Sequence, residues 1–320
     1  MGEKDPVMTL LRELLLAAGM ITIIVLAMWA HTGSMPPLVV VESNSMQHDE
    51  NGEIGTIDAG DLILVHNTDS RKIITFVEAS DKDSEHYGYQ SLGMAGDVII
   101  YERNGEKEST PIIHRALFKL EISEFTNPNE NNQCDNGTLW NEMCILTWTV
   151  PGSDQISVEK VNLVFDGNQT AEYSCKGYAA MHGSNWYSIE DFTPANPGYI
   201  TLGDNNDCND DQGAFAFADG ISSLNSGIIK PIQDDWVIGI SGEEIPWLGT
   251  VKLLVSGGDS PGASQVPGMS FVFLIAFILI VLALPIVIEP VIRRVLTNSP
   301  EMVESEREDA FAAIYGKEEE

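Results

Sequence analysis

The stretch Met269 to Ile288, MSFVFLIAFILIVLALPIVI, runs for 20 residues without a charged side chain. A second stretch, Leu14 to Ala30 (LLLAAGMITIIVLAMWA), has 17 uncharged residues in a row. About 20 apolar residues in a helix span the hydrocarbon core of a bilayer, where a helix satisfies its own backbone hydrogen bonds. Both stretches are therefore predicted to be transmembrane helices, and they decide the broad class of the fold.

The first stretch also admits a second interpretation, a cleaved signal peptide. Its apolar region is longer than the roughly 7 to 15 residues typical of a signal peptide. Met28 and Ala30 also make a poor small-residue cleavage pair. An uncleaved anchor is therefore favoured.

Basic residues beside the two spans predict the orientation of the chain. Lys4 and Arg12 precede the first span, Arg293 and Arg294 follow the second, and residues 31–70 contain no Lys or Arg. Positively charged flanks tend to stay in the cytoplasm. We therefore expect a cell-membrane protein with two spans, both termini cytoplasmic and the central segment outside.

Composition argues against two broad classes. With 43% apolar residues, the chain is not expected to be disordered as a whole. Its 48 acidic residues outnumber 17 basic ones and give a formal net charge of −31, which repels phosphate backbones. We therefore expect no nucleic-acid partner.

The four cysteines lie in the central segment, where an even number in an oxidising compartment predicts two disulfides. Three pairings are open, and the favoured one joins neighbours along the chain: Cys134 with Cys144 and Cys175 with Cys208. A zinc site is the rival interpretation, but no C-x-x-C or nearby pair of histidines supports it. No metal and no cofactor is therefore predicted.

The central segment contains short, β-branched apolar runs bounded by Gly, Asp and Asn, a pattern typical of strands. Such strands must close or stack to cover their edges. We therefore predict a mainly β domain, an antiparallel sheet folded over or closed into a small barrel. The runs are Leu38–Val41, Leu62–Val65, Val98–Tyr101, Ile112–Ile113, Val161–Phe165, Tyr199–Thr201, Trp236–Ile240 and Val251–Val255.

Ser45 and His114 are the first candidates for chemistry. Serines at strand ends usually form turns, and a serine hydroxyl is a poor nucleophile at neutral pH unless a base takes its proton. His114 lies in an apolar run, as expected either for a buried structural histidine or for a base fixed on a strand. His48 lies in a polar turn and is expected to be solvated. Taken alone, these residues leave both interpretations open.

The segment Gly203 to Asp211, GDNNDCNDD, concentrates acids and amides. A calcium loop starting at Asp207 would have Gln212 at its glycine position and Ala218 at its glutamate position, so that template fails. Two interpretations remain. The segment is either a turn, or it supplies a carboxylate that orients a catalytic histidine.

Taken together and in order, these elements resemble the type I signal peptidases of the archaeal and endoplasmic-reticulum type. No single element is specific, but the ordered set is. The matching elements are Ser45-Met46 after an N-terminal anchor, Gly60-Asp61-Leu62-Ile63-Leu64, Gly96-Asp97-Val98-Ile99-Ile100, Pro111-Ile112-Ile113-His114-Arg115, Gly203-Asp204-Asn205-Asn206 with a second acid following, Ile229-Lys230-Pro231 with Val237-Ile238-Gly239, and Ile245-Pro246-Trp247-Leu248-Gly249.

The resemblance implies a membrane-anchored serine endopeptidase, a hydrolase that removes signal peptides from exported precursor proteins during secretion. It makes Ser45 the nucleophile and His114 its general base, so activity is expected to fall as the imidazole becomes protonated. It makes Asp204 a site acid and either Asp210 or Asp211 a second one. The spacing after Asn206 is one residue longer than the usual pattern, so the choice between these two stays open.

The resemblance also implies the surroundings of the site. The backbone N–H of Ser45 and the hydroxyl of Ser43 would form the oxyanion hole, with Met46 beside them in the substrate-binding region. Because the anchor keeps the domain near the bilayer, apolar residues exposed on its surface, such as Met46, Trp247 and Leu248, are candidates for contact with the lipid interface, although a tryptophan in a strand is more often a core residue. The expected partners are signal-peptide-bearing precursors and the bilayer, close to the Sec translocon.

Two departures from the family pattern carry an alternative. In the nucleophile region, Asn44 stands where the family commonly has glycine and His48 where it has proline. In addition, 90 positions separate His114 from Asp204, far more than the family core needs. Asparagine tolerates a left-handed backbone better than most residues, so the turn can survive the first change. The alternative is a non-catalytic, membrane-anchored binding or adhesion module that keeps a peptidase-like β core.

These observations predict a signal-peptidase-like ectodomain with an inserted, disulfide-stapled β-subdomain between two transmembrane helices. The insertion contains two Asn-x-Thr sequons, at Asn136 and Asn168. The predicted segments are a cytoplasmic N-terminus (1–13), a span (14–30), a first part of the catalytic core (31–119), the insertion (120–197), a second part of the core (198–256), a linker (257–268), a span (269–288) and an acidic cytoplasmic tail (289–320).

Overall fold

The computed structural model describes residues 6–126, 145–165, 187–206, 208–213, 222–223, 227–256 and 262–297. By its internal contacts the chain divides into two units, Met1–Ser270 and Phe271–Glu320. The first unit contains the β domain and the N-terminal helix, and the second is helical where it is described.

The described residues form five α-helices and thirteen strands. The helices are α1 (Pro6–Thr32), α2 (Phe76–Ser80), α3 (Thr250–Val255), α4 (Gly262–Gln265) and α5 (Gly268–Thr297). The strands are β1 (Leu38–Val40), β2 (Leu62–His66), β3 (Gln90–Ser91), β4 (Met94–Ala95), β5 (Val98–Tyr101), β6 (Ile112–Thr126), β7 (Ile145–Thr149), β8 (Val161–Phe165), β9 (Tyr187–Phe192), β10 (Gly198–Leu202), β11 (Ser222–Ser223), β12 (Gly227–Ile228) and β13 (Val237–Ile245).

Both predicted spans are helical. Within α1 and α5, the segments Leu10–Thr32 and Gly268–Ile288 are each long and apolar enough to cross a membrane. The first helix ends where Gly33 takes a φ of 69° and donates its N–H to the carbonyl oxygen of Trp29 at 2.8 Å. A left-handed glycine at this place is a common helix terminator.

The main sheet is antiparallel and follows the strand order β1-β2-β13-β5-β6-β10, with β7 pairing the far part of β6. Its strands include most of the predicted apolar runs. The mainly β, antiparallel prediction is therefore confirmed for the described residues. β1 lies at one edge of the sheet, which leaves one of its sides without a partner strand in this order.

The predicted insertion joins the main core where it is described. β6 runs without interruption across the predicted boundary between residues 119 and 120. Phe165 of β8 packs against Phe76 and Phe118, with ring centroids 5.9 and 6.3 Å apart. Apolar side chains from both parts of the chain thus bury one another, which is the main source of stabilisation in such a core.

One predicted strand is wrong. Residues Val251–Val255 belong to α3, because their burial follows a helical period and not an alternating one. Thr250 and Leu253 are buried, whereas Val251, Leu254 and Val255 are exposed. A short apolar run does not by itself distinguish the two structures.

Several predictions lie outside the described residues. They concern Cys134, Cys144, Cys175, both sequons, residues 257–261 of the linker and residues 298–320 of the tail. Cys208 is described: it is buried and disulfide-bonded. The preferred pairing therefore stays a prediction.

Candidate active site

Ser45 lies in a tight turn just after β1, and its position is set by contacts of its neighbours. The N–H of Gln47 donates to the carbonyl oxygen of Asn44 at 3.1 Å, and the N–H of Asn205 donates to the carbonyl oxygen of Ser45 at 2.8 Å. The N–H of Asn44 donates to the side-chain oxygen of Gln265 at 3.0 Å. Asn44 is not among the described residues with a positive φ, so the turn forms without the left-handed backbone that glycine would favour.

His114 lies near the start of β6, an interior strand between β5 and β10, where it pairs with Ile99 of β5. Its side chain is 9% exposed. One ring nitrogen, Nε2, lies 3.0 Å from the Ser45 hydroxyl oxygen. The other, Nδ1, lies 2.6 Å from the carboxylate of Asp211. The three groups therefore form a continuous hydrogen-bonded chain.

The carboxylate of Asp211 fixes the tautomer of His114. Its Oδ2 atom also accepts the hydroxyl of Tyr101 at 2.7 Å and the hydroxyl of Thr201 at 2.6 Å. Since an ionised carboxylate only accepts, the proton between Asp211 and the ring belongs to Nδ1. Nε2 is then the acceptor that faces the Ser45 hydroxyl.

Hydrogen bonds and the neighbouring imidazole keep Asp211 ionised, although its burial disfavours the charged form. Desolvation alone would raise the pKa of this carboxyl, but the neighbouring His114 and the hydrogen bonds from His114, Thr201 and Tyr101 outweigh it and lower the pKa. Burial beside the same carboxylate raises the pKa of Tyr101 well above its ordinary value. Tyr101 therefore stays protonated and donates.

Asp204 contacts different partners from Asp211. It forms an ion pair of 2.7 Å with Arg115, and both side chains are fully buried. Burial opposes ionisation, but Arg115 and the hydrogen bond from His48 lower the pKa of Asp204 to about 2. Arg115 also donates to backbone carbonyl oxygens of residues 91–92 and 94–96. Asp204 thus anchors the loop beside the site and does not contact His114.

His48 differs from the sequence expectation. Its side chain is 20% exposed and its Nε2 lies 2.9 Å from the carboxylate of Asp204. It was expected to be solvated because its neighbours in sequence are polar. It is instead mostly buried, because the fold brings Asp204, which is far away in the sequence, within hydrogen-bonding distance of its ring.

Hydrogen bonds after Cys208 decide which of Asp210 and Asp211 contacts His114. The N–H of Asp211 donates to the carbonyl oxygen of Thr201 at 2.9 Å, which holds this residue beside β10. Asp210 is buried, and its carboxylate accepts the N–H of Gln212 at 3.1 Å. Asp211 is therefore the acid that contacts His114.

Ser45 and His114 line a groove of 380 Å³. One wall is formed by the end of β1 and the residues after it, including Val40, Glu42 and Ser43. Another part of the lining comes from the segment that leads into β6 and from the first residues of this strand, including Thr110 and Ile112. The groove is thus lined mainly by apolar side chains and contains the serine hydroxyl and the imidazole.

Gly203 closes one side of the Ser45–His114 pair. A side-chain carbon added there would lie 2.7 Å from the carbonyl oxygen of Ser45 and 2.8 Å from Nε2 of His114. Real contacts of this kind are essentially never so short, so only glycine lets this backbone approach the pair.

Met46 and Ser43 occupy different environments. Met46 is 2% exposed and packs in a small core cluster with Val41, Ile57 and Ile63. The expectation that Met46 reaches the lipid interface is therefore wrong, although its side chain also borders the groove. Ser43 is exposed, and its hydroxyl oxygen lies 3.1 Å from that of Ser45.

The acids of two motifs, Gly60-Asp61 and Gly96-Asp97, hold loops together. Asp61 accepts the N–H groups of Asp58 and Trp247, at 2.9 and 2.8 Å. Burial raises its pKa to about 6. Asp97 forms a two-point ion pair with Arg71, at 3.0 and 2.8 Å. Both acids therefore position backbone and lie outside the Ser45 groove.

Tyr101, Thr201 and Glu244 were not selected from the sequence; the first two donate hydrogen bonds to Asp211, and the third has a perturbed pKa. Burial raises the pKa of Glu244 to about 7, and Asp61 and Asp58 add to this effect. The sequence holds one signal for Tyr101, because a tyrosine that ends a buried apolar strand needs a hydrogen-bond partner for its hydroxyl. Thr201 and Glu244 carry no comparable signal.

Comparison of the chain with models of protein families, with curated proteins and with solved structures gave no match.

Proposed function

We propose that this chain is a membrane-anchored serine endopeptidase that removes signal peptides from exported precursors and has a fold like that of type I signal peptidases. The observation that carries the proposal is the chain of contacts from the Ser45 hydroxyl through His114 to Asp211, at 3.0 and 2.6 Å, at the edge of an open groove. A nucleophile, a base and an acid that orients the base form the minimal set for acyl transfer.

The first chemical step uses the tautomer that Asp211 imposes. Nε2 of His114 takes the proton of the Ser45 hydroxyl as its oxygen attacks the scissile carbonyl carbon. The ring, now positively charged, is stabilised by the carboxylate of Asp211 and then gives its proton to the leaving amine. A water molecule, deprotonated by His114 in turn, hydrolyses the acyl-enzyme and restores the serine.

The negative charge that develops on the carbonyl oxygen needs donors beside Ser45. The proposal assigns this role to the backbone N–H of Ser45 and the hydroxyl of Ser43, which lies 3.1 Å from the nucleophile. Loss of one such donor in comparable sites costs about 3 to 4 kcal/mol in the transition state. Ser43 is therefore assigned to the catalytic machinery.

The groove suits a substrate in an extended conformation. β1 is an edge strand, so a peptide lying beside it gains backbone hydrogen bonds that do not depend on the substrate's sequence. Apolar side chains such as Val40 and Ile112 line the groove near the serine. Shallow apolar pockets of this kind admit small side chains and exclude large ones by overlap.

The N-terminal helix supports a substrate that emerges from a membrane. Only residues 33–44 separate the end of α1 from Ser45. If α1 spans the bilayer, the nucleophile is kept near the lipid surface, and enzyme and precursor are confined to one layer. Confinement raises their effective concentration without any additional contact.

The test is a processing assay on the full-length chain in membranes, with one exported precursor as substrate. Ser45→Ala and His114→Ala are expected to reduce cleavage below detection while the protein remains folded and inserted. Ser109→Ala is the matched control, because the Ser109 hydroxyl donates only within its own turn, to the carbonyl oxygen of Glu106 at 2.9 Å. Cleavage by Ser45→Ala at the control rate would refute the proposal.

A further inference from the structure

His31, His66 and Glu243 form a side-chain cluster that is separate from the proposed active site. They come from three elements, namely the last turn of α1, the end of β2 and the strand β13. One nitrogen from each histidine and one oxygen from the glutamate lie within 4.8 Å of one another. Two imidazoles and a carboxylate therefore converge from distant parts of the sequence.

The spacing of the three atoms is close to that of a metal site. The distance from Nε2 of His66 to Oε2 of Glu243 is 3.3 Å, and that from Nε2 of His31 to the same oxygen is 4.0 Å. Two ligands bonded to one tetrahedral metal at about 2.0–2.1 Å lie about 3.3–3.4 Å apart. The first distance already has this value, and the second would have to shorten as the ion binds.

The backbone around the cluster is arranged to bring the rings together. The N–H of Asn67 donates to the carbonyl oxygen of Thr32 at 3.0 Å, which joins the end of α1 to the end of β2. A side-chain carbon at Gly242 would lie 2.4 Å from Nε2 of His66, so glycine leaves the space that this ring occupies. The two rings meet edge to face, with centroids 5.4 Å apart.

Exposure and charge both favour a cation at this place. The side chains of His31, His66 and Glu243 are 60%, 20% and 67% exposed, so an ion can enter and water can fill a remaining coordination position. His31 belongs to the last turn of a long helix, where the helix dipole places partial negative charge.

We propose that His31, His66 and Glu243 bind a divalent transition-metal ion of the zinc type. Two imidazoles and one carboxylate form a ligand set that zinc accepts, with a fourth position left for water. The bound ion would join the N-terminal helix to the β-sheet and so restrict the orientation of the β domain relative to that helix. The three ligands contribute no side chain to the groove at Ser45, so this proposal does not rest on the peptidase activity.

The competing account is a plain surface ion pair, in which the glutamate contacts protonated histidines. That account predicts no saturable metal binding. His86 supplies a matched control, because its Nε2 lies 3.4 Å from the carboxylate of Glu85 in a histidine–glutamate pair that is not part of the cluster.

The experiment is calorimetric titration of Zn²⁺ into the full-length, tag-free chain in detergent or lipid discs. We expect saturable binding of one equivalent at this site and a rise in the midpoint of thermal unfolding as Zn²⁺ is added. His66→Ala, His31→Ala and the isosteric Glu243→Gln should each weaken that binding at least about tenfold, because each removes one ligand. His86→Ala should bind like the parent chain.

Equal affinity in the parent chain and in Glu243→Gln and His31→Ala would overturn the proposal, as would the absence of any saturable binding. Because Glu243→Gln keeps the shape of the side chain, it separates loss of a ligand from loss of folding. An active peptidase that binds no zinc would leave the proposed function intact and refute this inference alone.

Discussion

Replacing Asp211 by asparagine tests how this site activates its histidine. The Oδ2 atom of Asp211 accepts three hydrogen bonds at once, from His114, Tyr101 and Thr201. In Asp211→Asn, the amide oxygen is expected to occupy this place, because three donors point at it. The tautomer of His114 is then kept, and only the negative charge is lost.

The size of the effect follows from that charge. A unit charge about 4 Å from the positive ring that forms during the reaction contributes about 4 kcal/mol at an effective dielectric constant of about 20. Since about 1.4 kcal/mol corresponds to a factor of ten in rate, Asp211→Asn should lower kcat about 10²- to 10³-fold. Asp211→Ala removes the acceptor as well and should approach the roughly 10⁴-fold loss seen when the tautomer is wrong.

The assay is cleavage of a fluorogenic signal-peptide substrate by purified full-length variants, with thermal unfolding as the check on folding. Asp210→Asn is the neighbouring comparison, because the carboxylate of Asp210 accepts a backbone N–H of Gln212 and does not contact His114. It should cost far less than Asp211→Asn. Unchanged kcat in Asp211→Asn, or an equal loss in Asp210→Asn, would refute this account of the acid.

Three further substitutions test the surroundings of the site. Gly203→Ala should lower kcat at least about 100-fold, because the added carbon would meet the carbonyl oxygen of Ser45 at 2.7 Å and displace this residue, the proposed nucleophile; unchanged kcat would refute this. Asp204→Asn should destabilise the fold by about 3–5 kcal/mol in a denaturant titration, because it removes the negative charge from a fully buried ion pair with Arg115; a change below about 1 kcal/mol would contradict this assignment. Glu244→Gln should be stabilising at pH 8 and close to neutral at pH 4, measured as the midpoint of thermal unfolding; equal effects at both pH values would contradict the raised pKa of Glu244.

The contributions of Glu244 and Asp204 to stability depend on pH in opposite directions. The pKa of Glu244 is raised to about 7, so its contribution is fully present below its ordinary value of 4.5 and is lost as the pH rises through 7. Glu244 is partly exposed, so the loss is limited to about 1–2 kcal/mol after solvent screening. The pKa of Asp204 is lowered to about 2, so its contribution is present above 3.8 and is lost as the pH falls towards 2.

Runs of β-branched residues predicted the strands that are buried on both faces. β5 and β10 are examples, since every residue in each is buried. The described extent of β6 was not predicted, because Lys119 and Glu121 interrupt its apolar pattern. These side chains reach solvent or partners across the sheet, such as the contact of Lys119 with Asp234 at 3.0 Å.

The candidate site shows a similar division. Ser45 and His114 were selected from local patterns and from the ordered motifs. In the structure, the hydroxyl oxygen of Ser45 lies 3.0 Å from Nε2 of His114. The sequence could not show which acid contacts His114, because Asp210 and Asp211 are adjacent and only their contacts in the fold distinguish them. Tertiary contacts with β10 and Tyr101 decide it, and such contacts leave no trace in spacing along the chain.

The pairing of Asp204 with Arg115 illustrates the same limit. The sequence marks Asp204 as an acid in a motif, but a motif does not say whether its carboxylate touches the histidine or stabilises a neighbouring loop. A fully buried arginine needs a charged partner, and this requirement becomes visible only when burial is known.

Covalent labelling of Ser45 tests the central claim most directly. A fluorophosphonate attached to a short peptide with small side chains should react with the full-length chain in membranes, and mass spectrometry of the digest should place the adduct on Ser45. The same reagent should leave His114→Ala unlabelled. An adduct elsewhere, or equal labelling of the parent chain and His114→Ala, would contradict the claim that this imidazole activates this serine.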